Sequence, residues 1–336
     1  MSLKNAFCSA VGALFSIAHL AAAQVAIRPG EIWLDNQGQH IQAHGAGILK
    51  AGETFYWFGE NRGRSLDPNQ GHISCYASTN LADWTFRGNV LELSAPTNFG
   101  PQLVLERPKV FYNTPTKKYV MYFHMDDARY QMARVGVAVS DTVDGHYQFL
   151  KSLRPLGCQS RDIGQFVDDD GSAYLIFEDR PKGFHIAKLS EDYLTVEKDT
   201  CLFPEHLESG ALVHYDGRYY VVGSHLSGWA ANPNVYATAK SLAGPWSKFK
   251  DIAPPDKKTY GSQVTILWKI TGEKTTAVIF MGDIWKPNTQ WDSRYLWMPL
   301  EIHGEQMSLP APAPWTLDIQ TGAARFLELQ PRPAPK

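Results

Sequence analysis

The chain has 336 residues and a formal net charge of −2, and charged residues make up only 20% of it. A near-neutral chain without a run of Lys or Arg does not favour binding to nucleic acid through the phosphates. Aromatic residues make up 12% of the chain, which excludes disorder over most of its length.

The first segment in chain order has the pattern of a secretory signal peptide. Lys4 precedes an apolar run from Ala6 to Ala23, which ends in three consecutive alanines before Gln24. A basic start, a short apolar core and a small-residue end are the parts of such a signal. We predict that residues 1–23 are removed and that the mature protein is secreted, extracellular or periplasmic, without a membrane span.

The rest of the chain repeats one pattern five times. Each copy has a polar residue, an apolar strand, a tight turn and a second, aromatic-rich strand, as in His44–Phe58. A third strand follows each pair, and four of these third strands lead into a similar segment that approaches a fourth. The polar residues that open the five copies are His44, Glu106, Asp162, Glu208 and Gln263.

Radial repetition of four-stranded sheets predicts an all-β fold, a five-bladed β-propeller with four antiparallel strands per blade. We expect the propeller to fill residues 24–320 and to leave residues 321–336 as a C-terminal tail. A β-sandwich is the alternative, but it does not explain five copies of one pattern. Because the innermost strand of each blade runs along the axis, the five opening polar residues are expected around one mouth of the channel.

Three of these five residues are carboxylic acids, and acids brought together raise the pKa of at least one of them. A protonated carboxyl beside ionised ones suits cleavage of a glycosidic bond. Carboxylates also collect hard cations, but the one Asp-rich run, Asp168–Gly171, is better explained as a hairpin turn. We therefore predict no catalytic metal and no required cofactor, and keep a structural Ca²⁺ in the channel as an alternative. A purely structural alternative is that the acids pair with Arg107 and Arg161.

With these residues identified, the chain resembles glycoside hydrolase family 43, whose members are five-bladed propeller enzymes that invert the anomeric centre. Its motifs are most similar to those of the exo-β-1,3-galactanase subgroup. The resemblance runs from about Ile41 to Trp315. The segments that carry it are Gln42–Ile48, Phe55–Glu60, Glu106–Val110, Ser160–Asp162, Leu207–Glu208, Ser224–Trp229, Ser241–Trp246, Ser262–Gln263, Met281–Asp283 and Ser293–Trp297.

The resemblance implies a role for each opening residue. Glu208 matches the general acid, and Asp162 matches the residue that orients it and tunes its pKa. Most members of the wider family have an Asp base where this chain has His44, and the galactanase subgroup shares this departure. Gln263 is then expected to place the attacking water, with Glu106 kept open as the base.

The resemblance also implies substrate contacts. Glu60, Glu106 and Tyr130 match sugar-contacting positions of the first subsite, and Arg107 and Asp283 complete the predicted polar contacts. Rings in the loops after second strands are expected to stack on galactose at the mouth. These predicted aromatic contacts are Tyr130, Trp229, Trp285 and Trp291.

The resulting hypothesis is a secreted, exo-acting and inverting hydrolase of β-1,3-galactan or arabinogalactan, acting as a monomer. One alternative is a non-catalytic galactan-binding propeller. Another is an α-L-arabinofuranosidase or β-xylosidase of the same family, although the missing first-blade Asp disfavours it. Cys75 is predicted to be buried, whereas Cys158 and Cys201 lie in loop-like segments where a disulfide is an open alternative.

Overall fold

A computed structural model describes residues 24–67, 69–94 and 102–328. The predicted signal peptide, residues 1–23, lies outside the described residues, as do residues 329–336 of the predicted tail. Within these described ranges, no helix is long and apolar enough to cross a membrane.

Five antiparallel sheets follow one another along the chain, and each is a meander of consecutive strands. The first has β1 (His44–Ala51), β2 (Thr54–Glu60), β3 (Gln70–Ser78) and β4 (Thr85–Ser94). The second has β5 (Leu103–Asn113), β6 (Lys118–Asp127), β7 (Arg134–Ser140) and β8 (Gln148–Leu153). The third has β9 (Ile163–Val167), β10 (Ala173–Asp179), β11 (Gly183–Leu189) and β12 (Val196–Phe203).

The fourth sheet has β13 (Leu207–Tyr215), β14 (Arg218–His225), β15 (Asn234–Ala239) and β16 (Lys250–Asp251). The fifth has β17 (Gln263–Thr271), β18 (Thr276–Ile284) and β19 (Arg294–Pro299). Two hairpins follow, β20 (Glu301–His303) with β21 (Gln306–Ser308), and β22 (Trp315–Asp318) with β23 (Ala323–Phe326). The described ranges also contain three short 3-10 helices, Pro155–Gly157, Pro255–Gly261 and Pro287–Asp292.

This arrangement confirms the predicted five-bladed, all-β propeller. Four blades carry the predicted four strands, and the fifth carries three in its own sheet. The Asp-rich run forms the predicted hairpin turn, in which the Gly171 amide donates to the Asp168 carbonyl at 2.9 Å. Turn chemistry and strand periodicity therefore determine the architecture.

The ring is completed at the fifth blade by both ends of the described chain. The Gly30 amide donates to the carbonyl of Tyr295 in β19 at 2.8 Å. Ile27 forms an antiparallel bridge with Trp315, the first residue of β22. The predicted tail from residue 321 begins within the turn that leads into β23, and this strand pairs with β22.

Apolar side chains fill the space between neighbouring blades. The largest cluster joins residues of the fifth, first and fourth blades. At its centre Trp57 packs against Trp297, Tyr295 and Trp84, with ring centroids 4.4, 4.7 and 5.2 Å away. Burying one large apolar side chain contributes about 1.5–3 kcal/mol. This packing makes the blades a rigid frame for the strand ends at the mouth.

Lys109 and Gln165 occupy the channel between the innermost strands. The Lys109 Nζ atom donates to the carbonyls of Gly45 and Ala46, at 2.8 and 2.6 Å. Burial lowers the pKa of Lys109 well below its usual value. The Gln165 amide bonds to the backbone of Ile48 and Val110. Calcium is bound by oxygen ligands such as backbone carbonyls, and here the Lys109 amine already occupies two of these carbonyls. The residues at this depth of the channel therefore do not fit the alternative of a bound Ca²⁺.

The three cysteines of the described chain are free thiols. Cys75 is fully buried, as predicted. Cys158 and Cys201 do not form a disulfide. Cys158 follows the first 3-10 helix and contacts Lys182, whereas Cys201 lies in β12 opposite Ile186, so the two thiols belong to different contacts.

Candidate active site

Four of the five opening residues line one pocket at the mouth of the propeller, with a volume of about 340 Å³. They are Glu106, Asp162, Glu208 and Gln263, one from each of the second to fifth blades. Glu60, Arg107, Tyr130, Trp229 and Trp285, which the sequence assigned to substrate contacts, also line it. The repeat therefore locates the pocket, and residues distant in sequence become its walls.

A bulge that recurs near the start of the innermost strands determines the direction of these side chains. β5 and β13 each carry a bulge, between Glu106 and Lys109 and between Glu208 and Ala211. The residues after the two glutamates, Arg107 and Ser209, have φ of +51° and +60°. Bulges re-aim side chains, and left-handed non-glycine residues cluster at functional sites because the surrounding structure must hold them.

The first blade has the same bulge, but its opening residue does not reach the pocket. His44 is fully buried and stacks on Tyr295, with ring centroids 4.9 Å apart. Its Nδ1 atom lies 3.2 Å from Asp283, whose other oxygen accepts from the Gly45 amide at 2.8 Å. The expectation that His44 lies at the mouth is therefore wrong. Asp283, predicted to contact substrate, is also buried outside the pocket lining, with both oxygens used to hold the start of β1.

Gly45 allows the start of β1 to pack closely against Glu60 and Arg107. Its φ is +65°, and a Cβ there would lie 2.6 Å from Glu60 Oε1 and 3.0 Å from the Cα of Arg107. Gly52, in the turn of the same hairpin, has φ of +60° and open space around it. The two glycines share a backbone conformation and differ in their surroundings.

We expect Gly45→Ala to lower the free energy of unfolding more than Gly52→Ala does. Both substitutions cost about 1–2 kcal/mol because alanine must adopt a left-handed conformation. Gly45→Ala also overpacks the contact with Glu60 and Arg107, which adds about 1–3 kcal/mol. Urea denaturation of both variants measures the difference, and equal losses would contradict the proposed close packing.

Arg107 connects three walls of the pocket. Its Nε atom lies 2.8 Å from Asp162 Oδ2, and its Nη2 atom donates to Gln263 Oε1 at 2.6 Å. Its Nη1 atom donates to the carbonyl of Val264 at 3.1 Å. The guanidinium is almost fully buried, so these bonds fix the relative positions of Asp162 and Gln263.

Glu208 has the environment of a carboxyl that stays protonated. Burial, and then the nearby charges of Asp162 and Glu178, raise its pKa to about 9. Its Oε1 atom accepts from the amide nitrogen of Gln263 at 2.9 Å. The acidic proton therefore belongs on the other oxygen. A carboxyl that is neutral at neutral pH can donate a proton to a leaving group.

The amide of Gln263 is held by four partners. Its Oε1 accepts from Arg107 and from Trp285 Nε1, at 2.6 and 2.9 Å. Its Nε2 lies 2.9 Å from Glu208 and 3.0 Å from Ser224 Oγ. Because Arg107 and Trp285 are donors only, the oxygen carries no hydrogen in this arrangement. The contacts thus fix the orientation of the amide beside Glu208.

Glu106 is an ionised carboxylate in the same pocket. Burial alone would raise its pKa, but the hydrogen bond from His124 and the charge of Arg62 bring the pKa down to about 2. Its Oε1 accepts from Arg62 and from the Tyr130 hydroxyl, at 2.9 and 2.7 Å. Arg62 also donates to Glu60 Oε2 at 2.7 Å. One cation therefore bridges two acids that the sequence assigned to sugar contacts.

Two tryptophans form an apolar wall, and a third lies elsewhere. The rings of Trp229 and Trp285 are perpendicular, with centroids 5.2 Å apart, and Trp229 is 39% exposed. Trp291 does not line the pocket. The guanidinium carbon of Arg64 instead lies 3.5 Å from the centroid of the Trp291 ring, and the Trp291 carbonyl accepts a hydrogen bond from the Gln42 side chain. The exposed face of Trp229 is a platform of the kind that stacks on a sugar.

Sequence reasoning missed several polar residues of the pocket wall. In the second, third and fourth blades a polar residue near the end of the second strand lies opposite the opening residue of the first strand. Glu106 pairs with His124 in register, Glu208 pairs with Ser224, and the Glu178 amide donates to the Asp162 carbonyl. Glu178 and His124 line the pocket together with Arg161, which the sequence offered as a partner of the acids, and with Arg129 and Arg180, which were also missed. The signal was available, because a hairpin register places those strand ends opposite each other.

The sequence profile of Glycosyl hydrolases family 43 matches residues 42–265, which is most of the propeller. Among solved structures, a variant of an exo-β-1,3-galactanase from Phanerochaete chrysosporium, with β-1,3-galactotriose, is similar to this chain. The two are 38% identical over 90% of this chain and 71% of that chain, with a TM-score of 0.83. An exo-β-1,3-galactanase from Clostridium thermocellum is 33% identical, over 91% of this chain and 69% of that one, with a TM-score of 0.83.

A shorter similarity links the chain to a curated protein, xylosidase/arabinosidase 43A of Humicola insolens. The two are 45% identical over 65 residues, which make up 19% of this chain and 19% of that protein. The match thus spans about a fifth of the length of this relative.

Proposed function

The chain belongs to glycosyl hydrolases family 43 and is a glycoside hydrolase, and we propose that it is exo-acting and releases galactose from β-1,3-galactan or arabinogalactan. The observation that carries the proposal is the buried Glu208, with a pKa of about 9, in a pocket beside the ionised Glu106. The pocket lies at one mouth of the propeller, and Lys109 and Gln165 fill the channel between the innermost strands. The similar galactanase structures support the choice of sugar.

In the proposed reaction Glu208 gives its proton to the leaving glycosidic oxygen, and a water attacks the anomeric carbon from the other side. Asp162 keeps the proton on Glu208, because its negative charge raises the pKa of that acid. Gln263 places the water once sugar displaces one of its present partners. Glu106 is the alternative base, since it is ionised throughout the neutral range. Whether Gln263 or Glu106 acts on the water, its attack inverts the configuration at the anomeric carbon.

Incubation with β-1,3-linked galactobiose tests the proposal. We expect galactose as the product, formed first as the α-anomer, which proton NMR detects before mutarotation. Matched incubations with arabinofuranosyl and xylosyl substrates should give no product. Turnover of those substrates instead of galactobiose would contradict the proposal and favour the activity named for the Humicola insolens relative. Binding of galactan without hydrolysis would favour a non-catalytic propeller.

We expect activity to be lost as the pH rises through the pKa of Glu208, because the general acid works only when protonated. The charge of Glu178 is one cause of that high pKa. Glu178→Gln should therefore move the alkaline limb of the kcat/KM profile to lower pH. Glu197→Gln, at an exposed position of β12 in the same blade, is the control and should leave the limb unchanged. An unmoved limb in Glu178→Gln would argue against Glu208 as the titrating acid.

We also propose that the protein is secreted after loss of residues 1–23 and acts as a monomer. The basic and apolar pattern of that segment supports secretion. Sequencing the N-terminus of protein recovered from the periplasm or medium tests it. A mature protein that begins at Met1 would contradict this proposal without affecting the proposed reaction.

A further inference from the structure

Three side chains of different chemistry meet behind the third-blade wall of the pocket. Cys158 follows the first 3-10 helix, Asp179 ends β10, and His185 lies in β11. Each offers one ligand atom, and these atoms all lie within 4.8 Å of one another. All three residues are buried, and none of them lines the pocket described above.

Three polar atoms of this cluster lack hydrogen-bond partners among the described residues. Neither carboxylate oxygen of Asp179 has a hydrogen bond among the described residues, and the same holds for His185 Nε2. Both side chains are 1% exposed. A buried polar group without a partner costs free energy, and such groups are rare in folded proteins. The arrangement therefore calls for a further group between these atoms.

The other nitrogen of His185 is already oriented. Its Nδ1 lies 2.8 Å from Asp199 Oδ1, and its ring stacks on Phe177 with centroids 4.4 Å apart. A carboxylate on one imidazole nitrogen fixes the tautomer and leaves the other nitrogen with a free lone pair. The His185 Nε2 atom lies 3.6 Å from Asp179 Oδ2. Two such ligands of a tetrahedral zinc are about 3.4 Å apart, so this pair needs little movement.

We propose that Cys158, Asp179 and His185 bind a divalent transition metal, with Zn²⁺ as the ion of best fit. A thiolate, a carboxylate and a neutral imidazole together carry two negative charges, which a divalent ion balances. Zn²⁺ accepts sulfur, nitrogen and oxygen ligands, and water would supply the fourth. Burial raises the pKa of the Cys158 thiol, and the Lys182 Nζ atom, 3.2 Å from Cys158 Sγ, offsets part of that rise.

The site would have a structural role next to the pocket. Asp179 stands between Glu178 and Arg180, both of which line the pocket. A metal held by Asp179 would tie β10 and β11 to the loop before β9. The thermal stability of the protein should then rise with metal concentration, because an ion that binds only the folded state stabilises it.

Cobalt titration of the metal-stripped, full-length protein tests the proposal. We expect one equivalent of Co²⁺ to bind with a thiolate-to-cobalt charge-transfer band, and Zn²⁺ to displace it and raise Tm. Cys158→Ser should abolish the band, whereas Cys201→Ser, the control thiol, should leave it intact. Asp199→Asn removes only the carboxylate behind His185, and should weaken metal binding about 10- to 100-fold.

Three results would overturn the proposal. The first is wild-type protein that binds no Co²⁺ or Zn²⁺ at micromolar concentrations, which would instead favour a protonated His185 bridging Asp179 and Asp199. The second is a charge-transfer band that persists in Cys158→Ser. The third is metal binding without a band, which would place the ion at another cluster, such as Glu106, His124 and Asp162.

Discussion

Glu208→Gln should lower kcat on β-1,3-galactobiose by about 10²–10⁴-fold, the usual contribution of general acid catalysis. An amide cannot give a proton to the leaving oxygen. The substitution should leave the fold intact, because its carbonyl oxygen can still accept the bond that Gln263 donates to Glu208. An unchanged Tm would show that the loss is chemical.

The leaving group provides a sharper control for this variant. An aryl β-galactoside with a strongly acidic phenol needs no protonation, and so its hydrolysis should fall much less than that of galactobiose. Equal losses on both substrates would point to binding rather than acid catalysis. Retention of wild-type activity on galactobiose would overturn the assignment of Glu208.

Arg107→Met should lower the free energy of unfolding by about 3–5 kcal/mol, because it leaves the carboxylate of Asp162 without its buried partner. It also removes a donor from Gln263 Oε1, so activity should fall as well. Urea denaturation measures the stability loss, and kcat/KM on galactobiose measures the loss of function.

The chain offers a matched control for Arg107→Met. Arg87 Nε lies 2.8 Å from Asp144 Oδ2, the same distance as between Arg107 and Asp162, but the Arg87 side chain is 48% exposed. Arg87→Met should cost about 1 kcal/mol or less, since water screens exposed ion pairs. Similar losses in the two variants would show that burial does not determine the strength of the Arg107 contact.

The fold could be predicted from the sequence because its signals are local and repeated. Turn residues such as Asp216 and Gly217 mark the hairpins, and alternating apolar residues mark the strands. The opening position of each repeat then identified Glu106, Asp162, Glu208 and Gln263 as neighbours. Five repetitions made a weak local pattern specific.

The remaining site residues depend on features that a sequence pattern does not contain. His44 opens the first repeat as Glu208 opens the fourth, yet stacking on Tyr295 and bonding to Asp283 bury it. The bonds of Arg107 to Asp162 and Gln263 depend on a left-handed backbone at Arg107, which residue type does not indicate. Hairpin register would have identified His124 and Glu178, because each lies opposite an opening residue.

The way the fifth blade closes the ring determines when folding can finish during synthesis. Its outer edge holds Gly30 against Tyr295, and Ile27 against Trp315, so the earliest and the latest described segments meet there. The ring cannot close on the ribosome until Trp315 has emerged, although single blades can form earlier. Until then the apolar surface around Trp57 and Trp297 stays open to solvent. A stalled or truncated chain would therefore expose this surface and become a substrate for chaperones or proteases.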